Sequence, residues 1–165
     1  MKKETRKIQV ERWSITSSRP FNEIVTGLHA AIGHPEMKTF FGETSVAQSP
    51  AELQAVVEKA LGPSGFMEFI RFDQGEILAK ESKDTLRILR FVIGNPLVMK
   101  EMVKHVPDAA SYAPVTILVT EQTGSVRLSY DTMASLIAPY GSADASRVAR
   151  DLDAKIESLI LEIAP

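Results

Sequence analysis

Leu86-Arg87-Ile88-Leu89-Arg90-Phe91-Val92-Ile93 is the most apolar strand candidate in the chain, and Gly94-Asn95-Pro96 follows it directly. Alternation puts Leu89, Phe91 and Ile93 on one face and Ile88 and Val92 on the other. Apolar residues on both faces predict an interior strand covered on both sides. The Gly-Asn-Pro turn ends it and starts a short helix bearing Met99, Met102, Val103 and Val106. Glycine permits backbone conformations that other residues avoid, asparagine caps exposed amides, and proline is preset for a first helical turn.

Toward the C-terminus, Val115–Thr120 and Val126–Tyr130 alternate cleanly, and Glu121–Ser125 joins them as a glycine-containing hairpin loop. One helical stretch then carries Met133, Leu136, Ile137 and Tyr140. A last helix, 143–163, carries Val148, Leu152, Ile156, Leu159, Ile160 and Ile163. That stripe is close to a heptad seam and reads two ways, as a face packed on the sheet or as a two-fold dimer contact. Toward the N-terminus, Gly65–Gly75 reads as strand, and 76–84 as a polar connection with at most one helical turn. Ser49-Pro50-Ala51-Glu52 opens a helix with a capping box, closed by Gly62-Pro63. Residues 34–49 are the least regular. Phe21, Ile24, Val25, Leu28 and Ile32 recur at helical spacing before Gly33, and 8–15 reads as a strand whose parity switches at Glu11-Arg12. Runs of helix and antiparallel strand, without strict alternation, predict an α+β fold: one antiparallel sheet of about five strands, with helices packed on one face.

The chain has 165 residues and a formal charge of -2, so one domain spanning 1–165 is expected and a dedicated nucleic-acid binder is not. It contains no cysteine, which removes disulfides, a thiolate nucleophile and any Cys-ligated zinc. The basic start, Met1–Lys7, lacks the apolar run of a signal peptide, and no stretch reads as a membrane span. Cytoplasmic residence is the expectation.

The chemical motifs are sparse. His29 and His34 are five apart, which on one helix places them about 140° apart and unable to share a metal. His34-Pro35-Glu36 is half of a deaminase zinc motif whose other half needs cysteine. Glu68 and Asp73 are a carboxylate pair that would face opposite sides of a strand unless a bulge intervenes. The Gly94-Asn95-Pro96 turn offers free helix-start amides to an anionic group, or is simply a well-made helix start. Arg87 and Arg90 lie on opposite faces by parity, and an inward one needs an acid or a ligand anion. Tyr130 ends a strand with its hydroxyl either in the core or at a pocket mouth.

From Phe66 to Tyr130, three elements follow in order: Phe91-Val92-Ile93-Gly94-Asn95-Pro96, Ala113-Pro114-Val115-Thr116-Ile117-Leu118-Val119, and Val126-Arg127-Leu128-Ser129-Tyr130. This order resembles the bacterial and archaeal family called domain of unknown function 302, most closely over 66–130. Ala113 stands where the family usually has leucine before proline, and Asp73-Gln74 where many members carry an acidic residue and histidine. The 34–49 segment and the 143–163 helix read as additions. The resemblance implies an α+β fold similar to TATA-binding-protein-like domains, with a curved antiparallel sheet gripping helices, and it supplies no catalytic residues.

Together these readings predict a small-molecule-binding domain, a homodimer, with a pocket between sheet and helices for a small or anionic ligand. Asn95, Arg90, Arg127 and Tyr130 are its candidate ligand-binding residues, with no metal, cofactor, nucleic-acid or membrane partner. The alternatives are an acid–base enzyme using Glu68, Asp73 or Tyr130, and an interaction module dimerising through the last helix.

Overall fold

In chain order the elements are β1 (Arg12–Ser17), α1 (Phe21–Ala31), α2 (Met37–Val46), α3 (Pro50–Ala60), β2 (Met67–Asp73), α4 (Gln74–Leu78), β3 (Ile88–Gly94), α5 (Pro96–Val103), β4 (Val115–Gln122), β5 (Ser125–Asp131), α6 (Met133–Ile137) and α7 (Ala143–Ile163). This computed structural model describes residues 1–82 and 86–165. Two of the three residues between them, 83 and 84, fall in the predicted 76–84 connection, so that part of the expectation lies outside the described residues. The five strands form one open antiparallel sheet in the order β1-β5-β4-β3-β2.

Register decides which side chains face the helices. Ile15 pairs with Leu128, Leu128 with Val119, Val119 with Leu89, and Ile117 with Phe91. With Val126, Tyr130, Val115 and Ile93, they make one apolar face, and α1, α5, α6 and α7 bury it. The stripe on α7 supplies Leu152, Ile156, Leu159, Ile160 and Ile163 to this core. The dimer reading of that stripe would therefore require these residues to leave the protein's own interior. Covering a sheet face of this kind contributes roughly 25 cal/mol per Å² of apolar surface removed from water. Ser142 fixes the start of α7, its hydroxyl accepting from the Ala145 amide at 3.2 Å.

Among the described residues, no helix layer covers the opposite sheet face, which corrects the expectation that β3 is covered on both sides. Ile70 and Phe72 are 47% and 41% exposed there, and Arg90 and Arg127 are exposed beside Thr116, Thr120 and Ser129. Val92 is nonetheless 8% exposed, because its β2 and β4 neighbours crowd it from both sides. Burial within a sheet does not need a covering layer at every position.

Two further differences are local. Strand β1 is Arg12–Ser17, so residues 8–11 of the predicted 8–15 strand lie before it. The segment expected to be irregular contains α2, which Glu36 caps by accepting from the Lys38 and Thr39 amides at 3.0 and 2.7 Å. Thr39 also donates its hydroxyl to Glu36, and these bonds hold the Glu36 carboxyl below the usual carboxylate range. With α3, α2 forms a second small core around Phe40, Val57 and Met67. As predicted, Ser49 caps α3, its Oγ accepting from the Glu52 amide at 3.2 Å; the Glu52 carboxylate reaches back one residue past the cap and accepts from the Gln48 amide at 2.8 Å, a variant of the expected capping box.

The ends of α1 and α3 and the start of β2 meet at a crossing of bare backbone. Gly33 and Gly62 both donate their amides to the Phe66 carbonyl at 2.9 Å, and the Glu68 amide donates to the Gly33 carbonyl at 2.8 Å. A Cβ on Gly33 would lie 2.0 Å from the Ala60 carbonyl oxygen, and one on Gly62 2.4 Å from the Gly33 nitrogen. Gly33 does more than stop a helix.

Candidate functional site

Asn95 is the N-cap of α5. Its Oδ1 accepts from the Leu97 amide at 2.9 Å, its carbonyl accepts from Val98 and Met99 at 3.1 Å, and its Nδ2 donates to the Gly65 carbonyl at 3.1 Å. Pro96 has no amide to offer. Every amide at the start of α5 is thus satisfied from within, and the Gly94-Asn95-Pro96 turn is a helix start rather than an anion cradle. Asn95 contributes position: it ties α5 to the loop before β2.

Behind this turn lies a cavity of about 360 Å³ between the main core and the α2–α3 core. One wall is Asn95–Lys100 with Met102; the second is Phe40, Phe41 and Thr44 of α2 with Leu53 of α3. The third is Phe69, Gly94 and Ala113–Val115, with Leu152 of α7 closing the floor. The lining is almost wholly apolar, in the volume range of small-molecule sites.

Two local features shape that wall. The β2–β3 register shifts between Glu68 and Ile70, so Phe69 is an extra residue on β2 and packs with the α2–α3 core. A bulge re-aims a side chain in this way. A Cβ on Gly94 would sit 3.3 Å from Pro114 Cβ and 3.4 Å from Phe69 Cε2, so glycine keeps the two rings close. The Ala113–Pro114 peptide is cis.

The other candidate residues go elsewhere. Tyr130 faces the core, 3% exposed, and its hydroxyl donates to Asp153 Oδ1 at 2.6 Å. Burial, then the Asp153 charge, pushes its phenol far above the ordinary value. Asp153 also accepts from the Met133 and Ala134 amides at 2.8 and 2.9 Å, so the pair ties α7 to β5 and α6. Tyr130 is therefore an internal strut, not a pocket-mouth hydroxyl. Arg90 and Arg127 are on the open sheet face, donating to Thr116 Oγ1 and Ser14 Oγ at 3.2 Å. Arg90 lines a polar depression of about 440 Å³ with Thr116, Ser129 and the Arg12–Asp131 pair. The four residues occupy three places and make no common site.

The possible acid–base group is likewise dispersed. A bulge does intervene between Glu68 and Asp73, placing both on the helix side of β2 by register. Yet Glu68 accepts from Arg71 at 2.8 Å, whereas Asp73 caps α4 by accepting from Glu76. The two histidines differ from the helical-wheel expectation, because α1 ends at Ala31 and His34 folds back. Their rings stack 3.9 Å apart, His34 Nε2 donating to the His29 carbonyl and Arg71 donating to His29 Nδ1. Among the described residues, no group of three or more histidines and acids is placed to hold a metal ion, and no helix is long and apolar enough to cross a membrane.

Arg12 and Asp131 join β1 to β5 through a two-bond contact of 2.6 and 2.8 Å, which holds the Asp131 carboxyl below its ordinary value. A depressed carboxylate adds stability above its unfolded-state pKa and loses it as pH falls through the folded one. The side chains are 60% and 38% exposed, so screening leaves about 0.5 kcal/mol. Arg12→Ala should lower the urea midpoint slightly at pH 7, and no longer do so at an acid pH below the depressed folded-state pKa of Asp131, where the carboxyl is protonated in both states. An equal difference at both pH values would refute the assignment.

Sequence reasoning did not single out Phe40, Phe41, Phe69, Lys100 and Pro114, which line this cavity. The Glu36 cap followed by adjacent phenylalanines was the one local signal for α2. Nothing local marks Phe69, because a bulge is a property of strand pairing.

Residues 42–163 match the family described as domain of unknown function DUF302. That range reaches through α7. No curated protein matches the chain. Among solved structures, an uncharacterized conserved DUF302 protein from Bacillus stearothermophilus is similar in fold, with a TM-score of 0.64 at 13% identity, over 92% of this chain and 97% of that one.

Proposed function

The chain belongs to the DUF302 family, whose description assigns no reaction, and we propose from its own cavity that it is a small-molecule-binding protein. The observation that carries this reading is the cavity of about 360 Å³ at the seam of two cores, walled by α2, α5 and the Phe69 bulge. Apolar side chains around a concave volume of this size gain by excluding water around an apolar guest. Phe41, 56% exposed at the cavity, is free to cover such a guest. A wider groove of about 730 Å³ between α1 and α7 is a poorer candidate, since it is more open and polar.

The test is fluorescence titration with anilinonaphthalene sulfonate, comparing the wild type with Thr44→Trp. Thr44 is half-buried in the cavity wall and its hydroxyl bonds only within α2, to the Phe41 carbonyl at 3.1 Å. The wild type should show one saturable site, and the indole should weaken it about tenfold or more while the melting temperature holds. Equal binding by both proteins, or no saturable binding, would refute the proposal.

A further inference from the structure

The wall of this cavity is charged at one point only, and from that we infer that its ligand is an amphipathic organic acid, with an apolar body inside and a carboxylate against Lys100. The inference rests on the cavity being a binding site and adds the class of ligand. Among the described residues lining it, Lys100 is the single ionisable one, and the polar alternatives are already committed. Asn95 engages both ends of its amide with Leu97 and Gly65, and Thr44 donates to the Phe41 carbonyl.

Lys100 differs from both. Its ammonium has three donors, and its nearby acid, Glu101, lies 3.8 Å away, beyond hydrogen-bond length. Glu101 is meanwhile gripped through both oxygens by Lys104, at 2.7 and 2.8 Å. Lys100 lines the cavity and its side chain is 42% exposed, as expected of a lysine whose methylene stem covers apolar surface while its charged end stays in water. A carboxylate at that rim replaces water on the ammonium and remains partly hydrated. Beside an apolar wall, that attraction is stronger than in open solvent. A cationic guest would be repelled, and a polyanion would find one positive group where it needs several. A single acid head on an apolar tail matches one cation at the mouth of an apolar chamber.

The experiment is a pair of titrations, octanoate and 1-octanol, followed by amide NMR shifts of Thr44, Leu97, Met99 and Val115 in the wild type and in Lys100→Met. The tail is common to both probes, and only the head differs. Octanoate should bind the wild type about tenfold more tightly than octanol, and Lys100→Met should erase that preference while keeping octanol binding. Equal binding of the two by the wild type, or an undiminished preference in Lys100→Met, would overturn the acid assignment and leave the apolar site standing. No shift at these residues with either probe would overturn both the acid assignment and the binding site itself. Methionine preserves the apolar stem of Lys100, and an unchanged melting temperature checks that the variant is folded.

Discussion

Gly33→Ala is expected to unfold the protein or to lower its stability by about 3 kcal/mol or more. The new methyl would lie 2.0 Å from the Ala60 carbonyl oxygen, 2.7 Å from the Gly62 nitrogen and 2.8 Å from the Leu61 carbonyl carbon. All three are main-chain atoms, so no rotamer change relieves the clash, and separating the segments breaks the amide bonds that converge on Phe66. Gly62→Ala should behave alike, since its methyl would meet the Gly33 nitrogen and the Ile32 carbonyl carbon at 2.4 Å. Gly42→Ala is the control. That glycine lies within α2 with nothing within 4 Å of an added methyl, and alanine should stabilise by about 0.5–1 kcal/mol. Urea denaturation followed by circular dichroism reads all three. A Gly33→Ala protein as stable as the wild type would show that the two helix ends do not cross in this way.

Asp153→Ala should cost about 2–4 kcal/mol. One carboxylate accepts from the Tyr130 hydroxyl and from two amides at the start of α6. Its removal leaves three donors without their acceptor, partly shielded from water. Tyr130→Phe removes one donor and leaves both amides bonded, so about 1 kcal/mol is expected. Because the two substitutions share a bond, the double variant should lose less than the sum. Strict additivity in chemical denaturation would mean that the 2.6 Å contact contributes nothing. The same contact has a signature at high pH. A phenol whose pKa is raised on folding contributes stability that is complete below its unfolded value and is lost as pH rises above about 10. Tyr140, which Tyr112 pushes up to about 12, acts in the same direction.

The fold was legible where periodicity and capping agreed. The alternation at Val115–Thr120 and Val126–Tyr130 became β4 and β5, the stripe from Leu152 to Ile163 became the buried side of α7, and Ser49 with Glu52 capped α3. Helix α2 escaped because its apolar residues form no regular stripe, and Phe40 alone among them is buried. The site was less legible for a physical reason. Its walls come from strand, loop and four helices far apart in sequence, and one wall depends on a bulge that cancels the parity rule at Phe69. Asn95 lines the cavity with its amide committed to the cap and to Gly65, and sequence does not show that commitment, because a cap that satisfies its own helix has the same residues as one that presents amides outward. Parity located Arg90 on one face of β3, but nothing in a single strand says which face the helices will choose.

Strand β1 lies at one margin of the sheet and bonds only to β5, and Ser14 meets Ser129 across 115 positions. The other neighbours, β2 with β3, β3 with β4 and β4 with β5, are consecutive along the chain. Closing so long a span carries an entropic cost of about 4 kcal/mol before any contact offsets it. During synthesis β1 emerges long before the strand that receives it, and until β5 is made its Trp13 and Ile15 have no sheet to join. The order of assembly is then inverted relative to the order of synthesis: the hairpins form as they appear, and the earliest strand docks last.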